Sequence, residues 1–374
     1  VRTRQTEREM RKQPDFAIFF TVLILAGFGL IMVFSASYIT SLESRGDAYF
    51  FLRRQAFWVL LGLGGMILAA NFSYWKWRKL LPLLMGLNFI LLLMVFIPGL
   101  GIEVYDARRW IGIGGFTLQP SELSKLVVVI FSASFLSKKN LNMANFWQSS
   151  FIPLAFMGLS FMLIFFQPDL GTALALAAVT VVVIFTAGIP LKQLFSLILA
   201  SLPVVAYLAV SAPYRMKRIF SFLDPWADPL GTGYHIIQSL YALGSGGFFG
   251  VGLGRSRQKL YYLPEPQNDF IFAIIGEELG FLGALTIMLL FFILIWRGFK
   301  TAIAATDTFG SLLAAGLTAI VAVQVIINIG VVTGSIPITG INLPFISAGG
   351  SSLFFMMFAM GILMNISRYN RATS

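Results

Sequence analysis

Residues 16–39 read FAIFFTVLILAGFGLIMVFSASYI, an uncharged run that follows a tail carrying Arg2, Arg4, Arg8, Arg11 and Lys12. At 1.5 Å per residue such a run forms a helix of about 36 Å, enough to cross a hydrocarbon core of roughly 30 Å. It is too long for the apolar core of a cleavable signal peptide and reads as a retained anchor. Comparable runs recur near 55–71, 80–98, 123–137, 151–167, 170–188, 193–211, 270–296, 309–333 and 348–366. The 123–137 run is the odd one, short and carrying Lys125. The pattern predicts an all-α polytopic membrane protein of about ten transmembrane helices. A large loop, 212–269, separates the seventh from the eighth.

Composition narrows the chemistry. Charged residues make up 11% of the 374 and hydrophobic ones 57%, whereas soluble domains carry roughly 25% charged residues. No stretch is long enough for a separate soluble catalytic domain, so any chemistry sits in the bundle or its loops. Residues 1–15 and 368–374 read as tails around a single transmembrane domain, 16–367. The absence of cysteine excludes thiolate metal sites and cysteine nucleophiles, and the single histidine, His235, excludes His clusters.

Charge sets the orientation. The side that holds both termini carries 15 of the 27 Lys and Arg residues, and the other side 12, six of them in the long loop. Long loops count little, so the comparison is 15 against six and places both termini in the cytoplasm. The +11 net charge thus follows membrane topology rather than nucleic-acid binding. Twelve of the 16 acidic residues fall on or toward the opposite side, which marks the extracytoplasmic face as the working surface.

Five segments on that face carry the candidate chemistry. In the first, Arg108, Arg109 and Trp110 suit an interface where arginine forks meet phosphate, and Glu122 and Lys125 are i,i+3 neighbours on one helix. The bland reading is an anchor and a structural ion pair, but ionisable groups inside a span are costly and usually functional. In the second, Gln167-Pro168-Asp169-Leu170-Gly171-Thr172, Asp169 is either an N-cap or a neighbour of the active site.

The third segment joins Arg215, Lys217 and Arg218, cations for lipid headgroups or for a pyrophosphate-linked lipid, to a glycine run from Gly244 to Gly254 suited to close approach of a ligand. No Gly-Lys-Ser/Thr follows that run, which argues against a nucleotide site. The fourth, Tyr262-Leu263-Pro264-Glu265-Pro266-Gln267-Asn268-Asp269-Phe270, leads into Glu277 and Glu278. Asp269 reads equally as a helix N-cap and as a general base at the membrane boundary. The fifth is the uncharged stretch from Gly334 to Ser352, which sits at membrane depth only where protein or a water-filled cavity satisfies its backbone.

In this order and spacing the five segments resemble the SEDS family of peptidoglycan polymerases, over effectively the whole chain and closest to its SpoVE/FtsW branch. The resemblance implies ten spans, cytoplasmic termini in the bacterial inner membrane and an extracytoplasmic active face. It implies glycosyl transfer from lipid II, with Asp269 in the place of the family's essential aspartate. Arg109, Trp110, Glu122, Lys125, Asp169, Arg215, Lys217 and Glu277 become the candidate substrate-binding residues. The scheme leaves room for a divalent cation, magnesium or manganese, and needs no nucleotide. The implied partners are lipid II, membrane lipids and a class B penicillin-binding transpeptidase. A lipid II flippase is the competing reading and a transpeptidase scaffold the third; crowding of charge on one face favours chemistry over a symmetric route.

Overall fold

The computed structural model describes residues 12–104, 107–113, 116–260 and 262–370. Arg2, Arg4, Arg8, Arg11 and Arg371, used above for orientation, lie outside them. Ten long helices coincide with the ten expected runs: α1 Phe16–Arg45, α2 Phe50–Asn71, α3 Trp75–Met94, α4 Pro120–Leu136, α6 Phe151–Phe165, α7 Leu170–Thr186, α8 Leu191–Val210, α11 Ile271–Ala304, α12 Thr308–Val332 and α13 Ser351–Ser367. A short α5, Phe146–Ser149, precedes α6, and the large loop folds into α9, Pro213–Leu223, and α10, Tyr234–Ser245. By length and composition α1, α2, α3, α8, α11 and α12 can each cross a membrane; α6, α7 and α13 are apolar but shorter.

Local rules account for the helix ends. Asp15, Asp169 and Asp307 cap α1, α7 and α12, each carboxylate accepting a backbone N–H of the first turn at 2.9–3.1 Å. Pro120 opens α4, where a missing N–H costs nothing. Between α3 and α4 the chain also forms an antiparallel sheet, β1 Gly101–Val104, β2 Ala107–Ile113 and β3 Phe116–Leu118. The apolar-run reading had treated this stretch only as an interfacial connection. Short strands give too little hydrophobic signal to show in such a reading.

Packing is tightest where side chains are smallest. α13 lies along α2, and a Cβ on Gly361 would stand 2.3 Å from the Met66 carbonyl. Gly62 and Gly65 admit Met357 and Phe354 in the same seam. Asn365 of α13 reinforces it, donating to Ala70 O and accepting from Tyr74 N, both at 2.9 Å. α12 is the most enclosed of the six long helices, whereas α8 buries no residue and stands at the edge of the bundle. The two described ends of the chain meet on one face, where Lys12 N donates to Arg368 O at 2.8 Å.

The α2–α13 seam can be tested by substitution. Gly361→Ala should cost about 1–3 kcal/mol through overpacking and lower the melting temperature in detergent. Gly64→Ala, at a position with open space around it, should leave it unchanged.

Candidate active site

A cavity of about 790 Å3 opens where α2, β2, the start of α4, α9, α10 and the segment before α11 converge. The helical period selects its cations. Tyr214, Lys217, Arg218 and Ser221 form an i, i+3, i+4, i+7 stripe of α9 along the wall. Arg215 turns the other way. It donates to Leu208 O (2.8 Å), Ser211 Oγ (3.1 Å) and Tyr214 Oη (2.8 Å), and covers the Phe165 ring at 4.4 Å. Arg215 thus fastens α9 to the end of α8 and does not line the cavity.

Asp269 is held from behind. Asn328 Nδ2 donates to the Asp269 carbonyl and to the Ile341 carbonyl, each at 2.8 Å. One amide therefore ties the segment before α11 to the uncharged stretch from Gly334 to Ser352. The carboxylate makes no cap bond to α11, so the N-cap reading of Asp269 does not hold. Gly340, at φ +78°, lies against the carboxylate, with a Cβ position 3.6 Å from Oδ2. Burial pushes the Asp269 carboxyl up to about 6, and the neighbouring Glu265 charge adds to the rise; Arg218 and Arg109 oppose it. His235, also in the wall, is pushed down by burial and then by Arg218.

Asp169 is an N-cap that also faces the cavity. It caps α7 through Thr172 N (3.1 Å) and lines the cavity, with Gln119 Nε2 3.4 Å from Oδ2. Arg109 lines the cavity beside Trp110 and braces the turn before Asp169, bonding to the Gln167 and Pro168 carbonyls. Its neighbour Arg108 pairs instead with Glu103 at 2.8 Å across the β1–β2 ladder.

Glu122 and Lys125 form a buried ion pair of 2.8 Å behind the wall. They border a void of about 20 Å3 that shares Gln119, Gly340 and Asn342 with the main cavity. Glu277 stands apart, accepting from Ser256 Oγ, Arg257 N (2.9 Å) and Gln258 N (3.4 Å). The glycine run approaches the α11 backbone, not the cavity: a Cβ on Gly246 or Gly250 would strike Gly276 O or Glu278 O.

Asp269, Arg109, Trp110, Asp169 and Lys217 therefore share one cavity, and Glu122, Lys125, Arg215 and Glu277 do not reach its wall. Arg54, His235 and Glu265 were not among the candidate binding residues, and Arg218, read only as one of three loop cations, was left out of the final set, although all four line the cavity. The phase of α9 is the signal that selects Arg218 over Arg215. Four cations, Arg54, Arg109, Lys217 and Arg218, face three carboxylates, Asp169, Glu265 and Asp269. Among the described residues no group of three His, Cys, Asp or Glu side chains is placed to hold a metal ion.

A family model described as cell cycle protein, FTSW_RODA_SPOVE, matches residues 16–372. The chain belongs to the FtsW/RodA/SpoVE family. It is 49% identical over 362 residues to stage V sporulation protein E of Bacillus subtilis, covering 96% of this chain and 99% of that protein. It is 44% identical to a probable peptidoglycan glycosyltransferase FtsW of Trichlorobacter lovleyi, covering 94% of this chain and 93% of the relative. A chain from a structure of a peptidoglycan synthase complex that coordinates polymerization and crosslinking matches with a TM-score of 0.78 at 29% identity, over 95% of this chain and 98% of that one. The rod shape determining protein RodA of Thermus thermophilus matches at 0.71 and 27%, over 96% and 98%. With these relatives and six helices apolar and long enough to cross a bilayer, the chain is a multi-pass membrane protein.

The electrostatics of the FtsW/RodA/SpoVE site can be read directly. An infrared difference titration of the protein against Asp269→Asn should find a carboxyl with a midpoint near 6. Glu265→Gln should lower that midpoint and Arg218→Ala should raise it. A midpoint at the ordinary carboxylate value near 4 would mean that the group is solvated.

Proposed function

We propose that the chain is a peptidoglycan glycosyltransferase that polymerises lipid II into glycan strands on the extracytoplasmic side of a bacterial cytoplasmic membrane. The observation that carries this reading is one half-buried carboxylate, Asp269, set among Arg109, Lys217 and Arg218 in a cavity large enough for sugars. The names of the FtsW and peptidoglycan synthase relatives support it.

The chemistry balances on these residues alone. Asp269 takes the proton of the acceptor GlcNAc 4-hydroxyl as O4 attacks the donor MurNAc anomeric carbon. The bond from that carbon to the pyrophosphate breaks with inversion, and the electron pair leaves on undecaprenyl pyrophosphate. Arg109, Lys217 and Arg218 stabilise the departing charge, and Arg54 extends the cationic wall. A single carboxylate serves because the leaving group is already activated; a glycoside hydrolase needs two. The Glu122–Lys125 pair acts from behind the wall, holding the start of α4 under Gln119, and Arg215 sets the angle of α9.

All ten helices that match the expected runs serve as crossings, with both termini in the cytoplasm. The meeting of Lys12 with Arg368 supports a common side for the two ends. The partner is a class B penicillin-binding transpeptidase, in line with the synthase complex whose chain this one resembles.

Purified protein reconstituted with lipid II, with and without such a partner, tests the reading. Native protein should yield long strands on a gel, and Asp269→Ala should lose at least about 100-fold in rate while eluting as a folded species. The base must be ionised, so the rate should fall as pH drops through about 6 and plateau above it. Lipid II moved across vesicles without any polymer would instead support a flippase.

A further inference from the structure

α11 is broken in its outer third. Gly280 takes φ 68° and ψ −165°, outside the helical region. The groups freed at the break are paired by the glycine run of the large loop. Val251 N and Gly252 N donate to the Glu277 and Glu278 carbonyls at 3.0 Å, and Phe281 N and Leu282 N donate back to Gly247 O and Phe248 O at 2.9 and 3.2 Å. The chain then returns through Ser256, Arg257 and Gln258, which bond to the Glu277 carboxylate, and Lys259, which pairs with Glu278 at 2.7 Å.

Two polar rungs join α1 and α11. Arg297 meets Asp15 at 2.7 Å, and Ser35 donates to Glu278 at 2.7 Å. They are 19 residues apart on α11 and 20 on α1, about 30 Å of helix, which is the thickness of the hydrocarbon core. Phe281 and Leu282 lie three and four residues inside the upper rung. The tip bonded to them therefore lies beside the stretch of α11 between the two rungs.

The tip has the composition of a lipid-facing surface. No Asp, Glu, Lys or Arg lies between Asp228 and Arg255. Phe249 is 77% exposed, and Phe248, Leu253 and Phe281 are each 56% exposed. Phe248 stacks on Phe281 at 5.8 Å, so the exposed tip continues the outward flank of a helix long and apolar enough to span. We propose that residues 234–260 form a re-entrant hairpin whose Phe248–Phe249 tip is seated among acyl chains of the leaflet on the Asp269 side. Its partner is the lipid surface. The hairpin fixes the depth of the return arm that leads to Asp269, and this inference does not depend on the reaction assigned above.

The natural absence of cysteine makes the test direct. Phe249→Cys and Leu253→Cys are spin-labelled in full-length protein in vesicles of phosphatidylethanolamine and phosphatidylglycerol. Leu289→Cys on the middle of α11 is the lipid control, and Leu230→Cys in the loop is the aqueous control. Collision with oxygen relative to a water-soluble nickel chelate should be several-fold higher at 249 and 253 than at 230, and close to that at 289. A 249 label that follows the chelate as 230 does would place the tip in water and overturn the proposal. A label reached by neither reagent would mean that protein covers the tip, which overturns it equally.

Discussion

Backbone N–H and C=O groups find no water inside a bilayer, so every departure from helix must be answered by another part of the same chain. That constraint organises this molecule. The break at Gly280 is answered by the glycine run, residue for residue. The uncharged stretch from Gly334 to Ser352 is answered by Asn328 at Ile341, by Gln55 at Ser347 (3.1 Å) and by Ala348 N at Gln267 O (2.9 Å). Because Asn328 also holds the Asp269 carbonyl, a bond that satisfies this stretch is also one that places the candidate base.

The same economy applies to charge. Lys259 and Glu278, almost fully buried, satisfy each other together with Ser35. Glu122 and Lys125 pair behind the cavity through Oε1, while Glu122 Oε2 finds no partner among the described residues. Breaking such pairs leaves an uncompensated buried charge, so their contribution is the definite geometry they impose on α4 and α11. At the cavity the balance is left open. Four cations and three carboxylates face one space, and Asp269 remains without a bonded cation among the described residues, which leaves it free to accept a proton.

The architecture was largely legible from apolar runs, because lipid makes length and hydrophobicity do most of the specifying. All ten runs fall on helices, including the short one around Lys125. The β1–β3 sheet was not legible: strands of three to seven residues at an interface carry no run. The site was legible in part. Asp169 and Asp269 were readable as carboxylates where spans begin, Arg109 and Trp110 as interfacial residues and Lys217 as a cation of the large loop. Arg215 was grouped with Lys217, although the period of α9 sends them to different sides. Glu277 was read as substrate-binding, and it holds the return arm of a loop.

The sequence by itself determined the helical bundle and marked the polar segments between its spans, because these follow from local composition and from the cost of polar groups in lipid. Only the tertiary structure decided which polar residues face one another. Asp269, Arg109 and Lys217 are separated by as many as 160 residues (109 to 269) and meet through helix crossings that no local pattern encodes. The role of the glycine run was decided the same way: its small residues announce a close approach, but only the fold shows that the backbone approached is that of α11.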